Sequence, residues 1–200
     1  MTNDLANKFA RLISTLFVPP SFTIIVFTVF AFTLEVEPLK RAVMILTSLI
    51  LGFISPIVLF VILRNKNKLA DLDASVKEER TLPFLIAALF YTIGLIIFII
   101  FQINIISIAF WFCYISNTLL TIFINKHWKI SAHSMGAAGP LAAVIYVIGP
   151  IAIIFSLLVF LIGWSRIQLK VHDIAQVAAG ILIAFISTYL QMFFIAKWFQ

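Results

Sequence analysis

Residues 82–101 read LPFLIAALFYTIGLIIFIIF, a run of 20 positions without one charged side chain. An α-helix rises about 1.5 Å per residue, so the run reaches about 30 Å, the thickness of a bilayer's hydrocarbon core. Helices in water-soluble domains average about 11 residues and need only one apolar face. In lipid no water serves backbone N–H and C=O groups, and a helix satisfies them internally. A transmembrane barrel would show ten-residue segments of alternating polarity, and the sequence has none. The stretch therefore predicts a membrane-spanning helix.

Similar apolar runs flank it at 12–34, 42–63, 103–124, 135–164 and 174–199. Hydrophobic residues make up 63% of the 200 and charged ones 11%, against roughly a quarter charged in soluble domains. The run at 12–34 is too long for a signal-peptide core and lacks a small-residue cleavage pattern, so it reads as a retained helix, kinked or delayed by Pro19-Pro20. The run at 135–164 is too long for one ordinary span, and Gly149-Pro150 at its middle predicts a hairpin of two short helices. These readings give an all-α polytopic transmembrane bundle of about 6–7 helices, with seven crossings counted and two of them short. One integral membrane domain, 1–200, accounts for the chain. The single Cys113 lies in an apolar run and reads as a packing residue.

Three longer polar segments interrupt the runs: RNKNKLADLDASVKEERT at 64–81, NKHWKISAHS at 125–134 and SRIQLKVHD at 165–173. The crossing count places all three, with the N-terminus, on one side of the membrane. Polar groups in such a chain are costly, which makes them candidates for function. Lys77 and Arg80 lie three apart, on one face if that stretch is helical. Ser131 and His133 precede one apolar helix; Arg166 and His172 precede the last. Arginine and lysine match the charges of a phosphate, arginine bidentately. Backbone N–H groups at a helix start suit the same anion, and histidine supplies a nucleophile or general acid.

Each residue also has a plainer reading. Lys77 and Arg80 fit as juxtamembrane cations, and Ser131 fits as a helix cap. A lone interfacial histidine fits as a polar anchor. Lys126, His127 and Lys129 beside Trp128 form an interfacial belt. Ser116, Asn117 and Thr118 fit as packing contacts between helices. Co-occurrence on one face favours a site.

At these residues the chain resembles the type-two phosphatidic acid phosphatase superfamily, which shares its fold with vanadium haloperoxidases. That family's third signature is Ser-Arg, five residues, His, three residues, Asp; here Ser165-Arg166 leads to His172 and then Gln176. Its second is Pro-Ser-Gly-His, matched by Ile130-Ser131-Ala132-His133. Its first is Lys, six residues, Arg-Pro, matched loosely by Lys77, Arg80 and the displaced Pro83. The resemblance runs from Lys77 to Gly180 and implies a haloperoxidase-like phosphatase core over about 64–199. It implies a metal-free hydrolase of lipid phosphates or diphosphates, with His172 attacking phosphorus and His133 protonating the leaving oxygen. Lys77, Arg80, Ser131, the Ala132 N–H and Arg166 would hold phosphate oxygens. Gln176 stands where the family's aspartate orients the nucleophile, and Asp173 is the other candidate for that role.

The resulting expectation is an integral membrane lipid-phosphate phosphatase needing no metal or cofactor. A catalytically weak or silent homologue that binds or moves a phosphorylated lipid is the alternative. A small-solute transporter would spread polar residues through the crossings, whereas these gather at one face. Membrane lipids are the expected surroundings and nucleic acid is not an expected partner, since no soluble basic domain exists. The net charge of +6 reads as juxtamembrane charge plus a phosphate site. Of the 14 basic residues, 11 fall on the site's side and Lys40, Arg41 and Lys197 on the other. The positive-inside rule then places the N-terminus and the site on the cytoplasmic side, and the plasma (inner) membrane is the expected location.

Overall fold

The computed structural model describes residues 2–71, 73 and 76–199. Every regular element among them is helical. Five helical segments are long and apolar enough to cross a membrane, or six when the bent pair at the N-terminus counts as one span. This makes the chain an all-α integral membrane protein, as the apolar runs predict.

Helix α1 (Thr2–Leu16) stops before Pro19-Pro20, and α2 (Pro19–Leu34) leaves at 53° to it. Proline suits the first turn of a helix, where its missing N–H is not needed, so it starts α2 and breaks α1. The predicted first crossing is thus a bent pair, and α1 packs along α8 with Ala10, Ile13 and Ser14 buried. The second crossing runs Pro38–Asn65 as α3 (Pro38–Thr47), a π-helical stretch Ser48–Ile54, and α4 (Ser55–Asn65). Pro56 cannot donate to the preceding turn, and widening that turn relieves its clash with the carbonyls. A 3₁₀ turn, Glu78–Arg80, leads into α5 (Thr81–Ile100). Lys77 and Arg80 therefore do not share an α-helical face.

Helix α6 (Ile105–His127) starts on Asn104, whose side chain accepts from the Ile106 N–H at 2.9 Å. The predicted hairpin follows as α7 (Ala132–Ile148), a 3₁₀ stretch Pro150–Phe155, and α8 (Ser156–Gln168). Gly149 between them has φ +96°, a conformation that costs glycine little. At 17 residues α7 is shorter than the spans, and at about 1.5 Å per residue it reaches about 25 Å. It is enclosed by α2, α8 and α9. Helix α9 (Ile174–Phe199) packs along α7 and α6.

One half of the bundle holds an aromatic core of Phe27, Phe30, Phe98, Phe110 and Trp111, all but sealed. The Trp111 indole N–H donates to the Tyr91 carbonyl at 2.6 Å, which satisfies its buried donor. In the α6–α9 seam, Asn117 Nδ2 donates to Thr188 Oγ1 at 2.9 Å and Ser187 Oγ donates to Asn117 Oδ1 at 2.7 Å. Ser116 bonds Gln191 across the same seam. Ser116 and Asn117 are interhelical contacts, as their plainer reading had it.

Candidate functional site

The three polar segments and α1 meet at one end of the bundle. Arg80 Nη1 donates to the Ile130 carbonyl at 3.0 Å, joining the first segment to the second. Lys129 Nζ donates to the Val171 carbonyl at 2.7 Å, joining the second to the third. Arg166 Nη1 donates to Asp73 Oδ1 at 2.8 Å and also meets the Ser14 hydroxyl. Arg11 Nη1 donates to the other Asp73 oxygen at 2.8 Å. Segments 62 to 93 residues apart in sequence are thereby tied into one cationic end.

A cavity of about 570 Å³ opens from this end into the bundle. Its polar wall carries Arg11, Ser14, Asp73, Arg80, His133, Arg166 and His172. Its deeper wall is apolar or aromatic, including Phe60, Phe84, Ala87, Tyr91 and Phe110. Tyr91 lies about three turns along α5 from Arg80, or about 16 Å, so the cavity runs along about half of a helix long enough to cross a hydrocarbon core about 30 Å thick.

Arg166 is 0% exposed, yet its Nε and Nη2 have no hydrogen-bond partner. A buried donor of a charged group without a partner is expensive. Two adjacent donors form the fork that receives a carboxylate or phosphate edge. His172 is 7% exposed, and its Nδ1 lies 2.7 Å from Gln176 Oε1. An amide oxygen only accepts, so Nδ1 carries the proton and Nε2 keeps its lone pair. Burial, reinforced by the positive charges of Arg80, Lys129 and Arg166, lowers the His172 pKa from the ordinary 6.5 to about 3, although the Gln176 bond pulls the other way. The imidazole is neutral at physiological pH. Burial and the nearby Arg80 charge lower the Lys129 pKa too. For Asp73 burial acts upward, but bonding to Arg11 and the charge of Arg166 outweigh it and hold the carboxyl below its usual range.

His133 occupies the first turn of α7 and lines the same cavity as His172, with the Ser14 backbone as a hydrogen-bond partner. Ala132 also lines the cavity. Ser131 has the capping role: its Oγ accepts from the Ser134 N–H at 3.3 Å and from the Ser134 hydroxyl at 2.9 Å. Its carbonyl would lie 2.9 Å from a Cβ at position 180, so Gly180 lets α9 approach the start of α7. Asp173 caps α9, with Oδ1 accepting from the Gln176 N–H at 2.8 Å. It therefore takes the capping role, and Gln176 partners His172. Lys77 lies outside the cavity wall: its Nζ turns to the carbonyls of Lys126 and His127, 3.4 and 3.5 Å away, at the end of α6.

Arg11, Ser14 and Asp73 were not among the sequence candidates. Lys129 belongs to the loop beside His172 rather than to an interfacial belt. Among the described residues, no three His, Cys, Asp or Glu side chains are grouped as metal ligands would be. Comparison with family models, curated proteins and solved structures returns no match.

Proposed function

We propose that the chain is an integral membrane phosphatase that hydrolyses a lipid phosphate or diphosphate through a phosphohistidine at His172. The observation that carries this reading is the buried Arg166 guanidinium, with two unpartnered donors at the polar end of a cavity shared with His172 and His133. Anion-receiving donors, an unprotonated imidazole and an apolar continuation into the membrane suit a phosphate carried on a hydrocarbon chain. The partial likeness of the 77–180 stretch to the phosphatidic acid phosphatase signatures points the same way.

In the reaction, the Nε2 lone pair of His172 attacks phosphorus while the bond to the lipid oxygen breaks. Burial and the Arg166 charge keep His133 unprotonated in the free site, so it takes up a proton as the phosphate dianion binds and gives that proton to the leaving oxygen. Gln176 accepts from Nδ1 throughout and keeps the ring oriented. Arg166 and Arg80 stabilise charge on the equatorial oxygens. Water then attacks the phosphohistidine, His133 takes the water's proton, and phosphate leaves with His172 restored. Lys77 and Ser131 serve at the edges of this arrangement, as an α6 terminus contact and the α7 cap.

The neutral Gln176 supports one second reading, a silent homologue that binds or moves a phosphorylated lipid, because no charge steadies the phosphoimidazolium. Phosphate release from phosphatidic acid, phosphatidylglycerophosphate and polyprenyl phosphates and diphosphates separates the two. Release that persists in EDTA, is inhibited by vanadate and disappears in His172→Ala supports the phosphatase. Binding of these lipids without release favours the silent homologue, and activity retained in His172→Ala refutes the mechanism.

A further inference from the structure

Asp73 is the one carboxylate among the described residues that line the cavity. Its oxygens divide between two arginines: Oδ1 on Arg166 and Oδ2 on Arg11, both at 2.8 Å. Arg166 thus presents one nitrogen to an internal anion while Nε and Nη2 stay unpartnered. An oxyanion received on that open edge shares a single guanidinium with Asp73. Two like charges on one cation repel, and in a buried site the repulsion is weakly screened.

We propose that Asp73 is an internal counter-anion that loosens the site's hold on a bound phosphate dianion and so sets how readily phosphate departs. The inference rests on the phosphate reading of the same site. A competing, merely structural role would have Asp73 hold Arg166 in place, so that its removal would weaken phosphate binding. The two roles predict opposite signs. Arg166 is fully buried on α8 and also bonded to Ser14, which keeps the guanidinium in place when Asp73 is neutralised. Repulsion therefore decides the sign.

The test titrates inorganic phosphate into the purified full-length protein in detergent and reads its dissociation constant by calorimetry and by thermal protection. Asp73→Asn is expected to bind about tenfold tighter than wild type, the equivalent of about 1.4 kcal/mol. Asp73→Glu, which retains the charge, is expected to stay near wild type. Wild-type binding with equal or weaker binding by Asp73→Asn overturns the counter-anion and leaves the phosphatase reading intact. Absence of phosphate binding in every variant overturns both. If Asp73→Asn does not yield folded protein, Asp73→Ser serves: it also removes the charge, tighter phosphate binding is expected, and unchanged or weaker binding overturns the inference.

Discussion

Replacing Gln176 with glutamate tests how the site controls its nucleophile. Glutamate has the same length, so the 2.7 Å contact with His172 Nδ1 is preserved and only the charge of the acceptor changes. A carboxylate about 4 Å from the ring's charge, at an effective dielectric constant of about 20, contributes about 4 kcal/mol. At 1.36 kcal/mol per unit that is about 3 pKa units, the upper end of the range of about 1–3 for a neighbouring opposite charge. His172 starts at about 3, so the variant should titrate at about 4–6. The same carboxylate stabilises the phosphoimidazolium, and kcat/KM near pH 8 should rise about tenfold, corresponding to about 1.4 kcal/mol. The assay is the pH dependence of kcat/KM on a lipid phosphate, taken as the ratio of variant to wild type. The substrate's own ionisation near pH 6 cancels in that ratio. An acid limb that does not move would mean that Gln176 does not govern His172, and the derived tautomer and its role would fall together.

Other consequences concern stability, charge and topology. Because the folded-state pKa of His172 lies below the ordinary 6.5, the unfolded chain binds a proton that the folded one refuses as pH falls. The protein should lose about 1.4 kcal/mol per pH unit below about 6 from this group. Thermal unfolding in detergent across pH 4–7 checks this, and His172→Gln should flatten the slope. Arg166→Lys removes the planar fork and should weaken vanadate inhibition by about tenfold or more, in line with about 1.5–3 kcal/mol for a charged hydrogen bond; unchanged inhibition would place the oxyanion elsewhere. Gly94→Ala puts a Cβ 2.2 Å from the Trp111 ring and should destabilise the aromatic core by about 1–3 kcal/mol, read from the melting temperature. In a Cys113→Ala background, cysteines at the exposed Lys66 and Lys126 should resist a membrane-impermeant thiol reagent on intact cells, while one at Val36 reacts. Labelling at Lys66 and Lys126 would place the site outside.

The bundle was legible because lipid makes the rule simple: long uncharged runs become helices. The hairpin was legible for an equally local reason, since Gly149 supplies a positive φ and Pro150 cannot continue α7. The π-helical stretch at Ser48–Ile54 was not, because Pro56 is compatible with several ways of relieving one clash. His172 with Gln176, and Arg166, were legible as a spaced motif within one segment. Asp73 and Arg11 were invisible because their partners lie 62 to 93 residues away, and only the folding of α1 against α8 brings them together. Asn125 illustrates the reverse error. It reads as a loop residue, yet it is buried, with Oδ1 accepting from the Ile130 N–H at 3.1 Å to shape the turn before His133.

The most direct test is a trapping experiment. The protein is mixed with a ³²P-labelled lipid phosphate, quenched in alkali within one turnover, and digested. A phosphohistidine survives alkali and is lost in acid, and the label should appear on the peptide carrying His172 and vanish in His172→Ala. Phosphate release with no trapped label, or a label on another residue, would contradict the account.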